Sequence, residues 1–253
     1  AESGRSVPGF EGATMAIVHK EIRFLRRSPY IFFSLAMPVI LLLVFSLGGF
    51  SGNGPGLSHI RGYAYSVGLA YALLAFTNLV FNVCGADAVG VQLYFLAPVR
   101  FRQVLAAKNL AYAVLLVFEA AVLYLVACVI DRPPSALILA ATLLGFVMAA
   151  LCAFTAGNVL SLYFPKKLDL ARMGRHAARG TSSMIAIAVE ATAIGLAVLC
   201  VLAGYALHQP WTGLVLLALL TVLAAIVYRV ALVQTDQIAL ARRETLLAEL
   251  SKA

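Results

Sequence analysis

Charged side chains are scarce in this chain: Asp, Glu, Lys and Arg make up 12% of its 253 residues, and the acids number only 11. A soluble domain carries about 25% charge, so this sequence has too little polar surface to cover a water-soluble globule. Cysteine is equally sparse. Cys84, Cys128, Cys152 and Cys200 fall in or beside apolar runs, with no CxxC pair and no His-spaced cluster, which argues against a disulfide framework and a structural metal site. The four His residues are scattered, and no metal is implied. Three motifs are missing altogether: G-x-x-x-x-G-K-[ST], H-E-x-x-H and G-x-S-x-G. The chain therefore lacks a loop to cradle nucleotide phosphates, a zinc-protease pair and a hydrolase nucleophile. No enzyme activity and no cofactor of its own are expected.

What is abundant is hydrocarbon. Hydrophobic residues reach 62% and the mean hydropathy is +0.95. Six apolar runs, at 30–50, 62–84, 109–130, 135–161, 183–206 and 211–233, are each long enough to cross a hydrocarbon core about 30 Å thick. Ten-residue alternating strands are absent, so the backbone must satisfy itself within helices. The expected fold is an all-α polytopic membrane bundle. It comprises a linker at 1–14, an interfacial amphipathic helix at 15–29, a six-helix transmembrane domain at 30–233 with a cytoplasmic coupling helix, and a C-terminal cytoplasmic helix at 234–253.

Lys and Arg orient the bundle. Residues 1–29 hold five, 85–108 three, 162–182 five and the tail from Arg229 four, against only Arg61 and Arg132 in the opposite loops. The positive-inside bias places both termini and the longer loops in the cytoplasm, as expected of a multi-pass plasma (inner) membrane protein. The net charge of +8 is this bias. It is dispersed along helix flanks, which points to anionic membrane lipids and away from nucleic acid. The opposite connections, "GGFSGNGPGLSHIRG", "DRPPS" and "LHQPW", are short Gly/Pro turns.

The start, "AESGRSVPGFEGAT", has the Gly/Ser/Pro composition of a joint between domains and no signal core. Then comes "TMAIVHKEIRFLRRSPY". At about 100° per residue, Met15, Ile17, Val18, Ile22, Phe24 and Leu25 share a face, with His19, Lys20, Arg23, Arg26 and Arg27 opposite. Such a helix lies in the membrane interface. Glu21 breaks the pattern by falling inside the apolar arc: it reads as a carboxylate reaching round to an Arg on the next element, or as a buried charge pair that fixes how the helix docks, with Arg26, Arg100 and Arg102 as the candidate partners.

A second basic segment, "YFLAPVRFRQVLAAKN", interrupts the apolar runs at Tyr94 to Asn109. Phe101, Val104, Leu105 and Lys108 recur at i, i+3, i+4 and i+7 after the helix-breaking Pro98, with Arg100, Arg102 and Gln103 off that face. A short basic helix over 97–108 is expected there, shaped to be gripped by a soluble partner.

"KEIRFLRRSP" and "FNVCGADAVGVQLYFLAPVRFRQVLAAKNL" together resemble the permease subunits of the type-2 ABC exporter class. Lys20, Glu21, Arg23, Arg27 and Pro29 match the class's interface-helix pattern. Gly85, Asp87, Gly90, Pro98, Val99, Arg102, Lys108 and Asn109 match the segment that couples the membrane helices to the ATPase. The resemblance implies an ATP-binding cassette subunit as partner, with ATP and Mg held on that chain. It implies a second permease half or protomer as well, and an ATPase-coupling role for Pro98, Val99, Arg100, Arg102, Lys108 and Asn109. The linker-like start further suggests the second half of a double-length member. The short "ALHQPW" loop departs from relatives with re-entrant helices there, so no substrate is transferred.

Glu119 and Glu190 are carboxyls inside spans, readable as a polar translocation path or as protonated packing glue. Asn78, Asn82 and Asn158 read as interhelical hydrogen-bond formers. Lys166, Lys167, Arg172, Arg175 and Arg179, between spans four and five, read as topology determinants, with a second ATPase contact as the alternative. The leading expectation is an exporter permease. The alternatives are a non-transporting membrane scaffold or sensor, and an ion-coupled secondary transporter working through Glu119 and Glu190.

Overall fold

The computed structural model describes residues 12–46, 63–130, 133–165 and 181–251. The linker-like residues 1–11, the Gly/Pro connection at 47–62 and the basic run carrying Lys166, Lys167, Arg172, Arg175 and Arg179 lie outside the described residues.

The described residues are all helical or irregular. In chain order the helices are α1 (Gly12–Leu25), α2 (Pro29–Ser46), α3 (Ala64–Val80), α4 (Val91–Leu96), α5 (Phe101–Ile130), α6 (Ala136–Tyr163), α7 (Thr181–Ala206), α8 (Pro210–Ala241) and α9 (Arg243–Ser251). A 3₁₀ turn, Ala88–Gly90, precedes α4. Four helices, α5 to α8, are long and apolar enough to cross a membrane. The count is up to five if α1 and α2, bent by 75° between them, form one broken span. The chain is a polytopic membrane protein. Six spans were expected; α3, at 17 residues, is a shorter apolar helix and is not among the four to five counted.

Exposure fits a lipid surround. Val129, Phe32, Met184 and Phe33 are among many large apolar side chains left open, while the interior holds Leu42, Leu69, Leu105, Leu123 and Leu217. In a bilayer the exposed ones face hydrocarbon at no cost, and small residues set the helix contacts. A Cβ on Gly157 of α6 would sit 2.2 Å from the Val80 carbonyl oxygen at the end of α3. Gly213 of α8 is in the same position against the Cys200 carbonyl oxygen of α7, at 2.6 Å. The backbones touch where only hydrogen fits.

Two boundaries differ from the sequence expectation. The basic helix expected over 97–108 is no separate element: Phe101–Lys108 forms the first two turns of α5, continuous to Ile130. The short helix is α4, which ends before Pro98. Pro98 disfavours helical backbone at the preceding residue, and Ala97 is extended accordingly. The expected stripe does share a face. Phe101, Val104, Leu105 and Lys108 are all buried, so that face looks into the bundle and is closed to a soluble partner. At the other end, α8 runs on to Ala241 before breaking at Arg242, so the C-terminal helix starts later than 234.

Candidate functional site

The site forms where α1, the turn after α3, α4 and the start of α5 meet. On α1 the buried positions are Thr14, Val18, Glu21 and Leu25, a stripe at i, i+4, i+7 and i+11 that packs on α5. The apolar arc read from the sequence is thus divided. Val18 and Leu25 go inward, whereas Phe24 is exposed. Glu21 occupies the centre of the inward stripe, 1% exposed, and must be paired there.

Its partner is Lys108 of α5. Lys108 Nζ donates to Glu21 Oε1 at 2.9 Å and lies 2.8 Å from Asp87 Oδ2. Lys20 closes the cluster from outside: its Nζ donates to Glu21 Oε1 at 3.2 Å, to the Tyr94 hydroxyl at 3.0 Å and to Asp87 Oδ1. The Tyr94 hydroxyl in turn donates to Asp87 Oδ2 at 3.0 Å. Two ammonium groups thus meet two carboxylates. The net charge is zero, and most lone pairs are used, which is what lets ions persist in a dry interior.

Arg26 and Arg100, proposed from sequence as partners for Glu21, are exposed, and Arg102 pairs with Asp236. Lysine prevails for a geometric reason: Lys108 lies on the same α5 face as Phe101, Val104 and Leu105, turned toward α1.

The backbone that delivers Asp87 is irregular. Residues 81–87 form consecutive turns bonded from Gly85 N to Asn82 O, Asp87 N to Cys84 O and Ala88 N to Gly85 O, which satisfy part of their backbone locally. Such backbone is tolerated at membrane depth only when protein covers it, and Phe81, Val83, Cys84 and Gly85 are buried. Ala88 follows with φ +47°, a left-handed conformation that costs a non-glycine residue roughly 1 kcal/mol. Burial pushes the Asp87 carboxyl up, but Lys108 and Lys20 outweigh it and hold the group below the usual carboxylate range. Burial pushes the Tyr94 phenol up, which keeps it a neutral donor.

Beside this cluster is an open ledge. Leu93 and Leu96 of α4 are 62% and 73% exposed, and Pro98 and Arg100 are exposed after them, with Val99 half-buried. Phe95 holds the ledge down by stacking on Phe101 at 5.3 Å, with the Arg243 guanidinium 5.4 Å from the centre of its ring. The start of α5 has no Ser, Thr, Asp or Asn at its cap. Gln103 Oε1 accepts from Arg100 N at 3.0 Å, and Asp236, from α8, accepts from Arg102 N at 2.7 Å. A carboxylate from a distant helix therefore caps α5 and meets its dipole.

The remaining sequence-singled residues fall into separate places. Lys20 belongs to the cluster, while Arg23 and Arg27 are exposed. Asn109 is buried beside Lys108 and donates to Asn158 at 3.2 Å and to the Tyr228 hydroxyl at 3.1 Å, tying α5 to α6 and α8. Asn78 and Asn82 are half-buried near the end of α3. Glu190 accepts from the Thr77 hydroxyl at 2.6 Å. Glu119 is buried on α5, and no hydrogen bond among the described residues joins it to Glu190. Each keeps one carboxyl oxygen without a partner among the described residues.

Sequence reasoning gave Asp87 a place in a motif but no partner, and passed over Tyr94 and Asp236. The available signal was rarity: Asp87 is the sole acid between Glu21 and Glu119. Among the described residues no group of three or more His, Cys, Asp or Glu side chains is placed to hold a metal. No family model, curated protein or solved structure matches the chain.

Proposed function

We propose that this chain is the membrane-spanning permease of an ATP-driven exporter of the type-2 ABC class, worked by a separate ATP-binding cassette subunit. The observation that carries the reading is convergence. Lys20, Glu21, Asp87 and Lys108, four residues that the resemblance draws from two distant segments, make one ion cluster.

In this reading α2 and α3, about 27 and 26 Å long at 1.5 Å per residue, also cross the bilayer and complete six spans. The basic flanks face the cytoplasm, both termini with them. The ATPase grips the ledge at Leu93, Leu96, Pro98 and Arg100. Because the ledge is anchored to α5 by Phe95 on Phe101, and α5 to α1 by Lys108 on Glu21, a push on the ledge moves α1 and α5 together. A second permease half or protomer faces this one across the translocation path, and ATP and Mg stay on the partner.

Purification of the tagged chain from its native membranes tests this. A co-purifying chain with a phosphate-binding loop, whose ATP turnover changes when the permease is added back, is the expected result. Solute uptake driven by an ion gradient, with no such ATPase bound, would replace the proposal with the ion-coupled reading through Glu119 and Glu190.

A further inference from the structure

At the end of the bundle opposite the ion cluster, α3, α6 and α7 line a half-open cavity of about 510 Å³. That lies within the roughly 300–1,000 Å³ of sites that take a whole small ligand. Its wall is almost entirely hydrocarbon, from residues such as Val67, Leu73, Ile138, Phe146 and Val201. The hydroxyls of Ser66 and Thr142 bond each other at 2.6 Å, which leaves them little to offer a polar solute. The rim is different: Tyr63 and Tyr205, both exposed, line it at the start of α3 and the end of α7. Phenols at a helix end mark the headgroup level of a bilayer.

Depth identifies the occupant. The lining runs from Tyr63 to Leu73 on α3, from Leu137 to Ala149 on α6 and from Ile194 to Tyr205 on α7. At 1.5 Å per residue these stretches are ~15 to ~18 Å long, about half of a ~30 Å hydrocarbon core. The cavity therefore spans one leaflet, starts at a phenolic rim and is dry below it. A polar cargo would lose its hydration for nothing in return, whereas an alkyl chain gives up only its contact with other alkyl chains.

We infer that this cavity is a binding site for one acyl chain of a bilayer phospholipid, with the glycerol and headgroup at Tyr63 and Tyr205. The site is independent of any partner ATPase. It gives the α3, α6 and α7 contact a lipid component, held within the protein and distinct from the surrounding annulus.

The test uses the full chain in maltoside detergent, titrated with a phosphatidylglycerol whose acyl chain carries a diazirine at its middle. After irradiation, labelled peptides are mapped and lipids retained per chain are counted by native mass spectrometry. One saturable label on the peptides containing Ala70, Ala141 and Val201 is expected, with one lipid retained. Ala141→Phe, which fills the cavity, should weaken the saturable label at least tenfold, and so should the milder Ala70→Leu should the first variant fold poorly. Val215→Phe, at an exposed position outside the lining, should leave it unchanged. Unsaturable labelling confined to open faces such as those of Val129 and Val215 would overturn the inference. So would shielding of the cavity peptides by a co-purifying protein helix.

Discussion

Lys108 and Glu21 stand 87 residues apart in the chain, and their side chains meet at 2.9 Å with each 1% exposed. Taking Glu21 away strands Lys108 with Asp87, which Lys20 already shares. Losing one member of a buried ion pair costs ~3–5 kcal/mol, so Glu21→Ala should lower the unfolding midpoint in detergent by that order. Glu21→Gln, which keeps a hydrogen-bond acceptor, should cost less. Removing both charges with Glu21→Gln and Lys108→Met should recover part of the loss. A loss under ~1 kcal/mol for Glu21→Ala, typical of a solvated pair, would contradict the buried cluster.

Acid should reach the same cluster through Asp87. Burial raises its folded carboxyl, but Lys108 and Lys20 outweigh that and hold it below the usual carboxylate range, so the unfolded chain takes up the proton first as pH falls. The stability Asp87 contributes is therefore fully present above about pH 4 and is lost as the pH drops through the folded value. Melting temperature measured from pH 6 to pH 2.5 should fall at the acid end for the wild type. Asp87→Asn should begin lower and fall less steeply.

The cap on α5 makes a third prediction. Asp236 holds Arg102 N at 2.7 Å, and loss of an N-cap acceptor costs ~1 kcal/mol. Asp236→Ala should cost about that much, and Asp236→Asn a few tenths, by thermal unfolding. The Arg102–Asp236 ion pair, with both side chains about a third exposed, should add little. Arg102→Gln, which retains the backbone donor, should then be nearly neutral.

Helix contact supplies a fourth. Gly157→Ala places a methyl against the Val80 backbone and should destabilise by ~1–3 kcal/mol, as overpacking does. Gly195→Ala meets nothing within 4 Å and should be neutral or stabilising by up to ~1 kcal/mol. Equal effects in the two variants would contradict the close crossing of α3 and α6.

Much of this architecture could be read before the structure. The long apolar runs became α5 to α8 because nothing but helix satisfies a backbone in hydrocarbon. Glu21 was legible as a paired charge because it violates the apolar arc of α1. Its partner was not. Lys108 sits on a stripe whose other members are apolar, and periodicity alone does not tell a stripe facing protein from one facing a partner. The break at Pro98 was visible, but the helix was expected after it, whereas α4 lies before it. Asp236 was illegible as a cap for α5 because 134 residues separate it from Arg102 and local patterns carry no such contact.

The proposed grip of a soluble ATPase on the ledge formed by Leu93, Leu96 and Arg100 is tested by the affinity of a co-purified ATPase for the detergent-solubilised chain, wild type against Leu93→Ser, Leu96→Ser and Arg100→Glu combined. All three side chains are exposed, so the variant should melt with the wild type and bind the ATPase at least tenfold more weakly. Unchanged affinity with unchanged melting would contradict the claim.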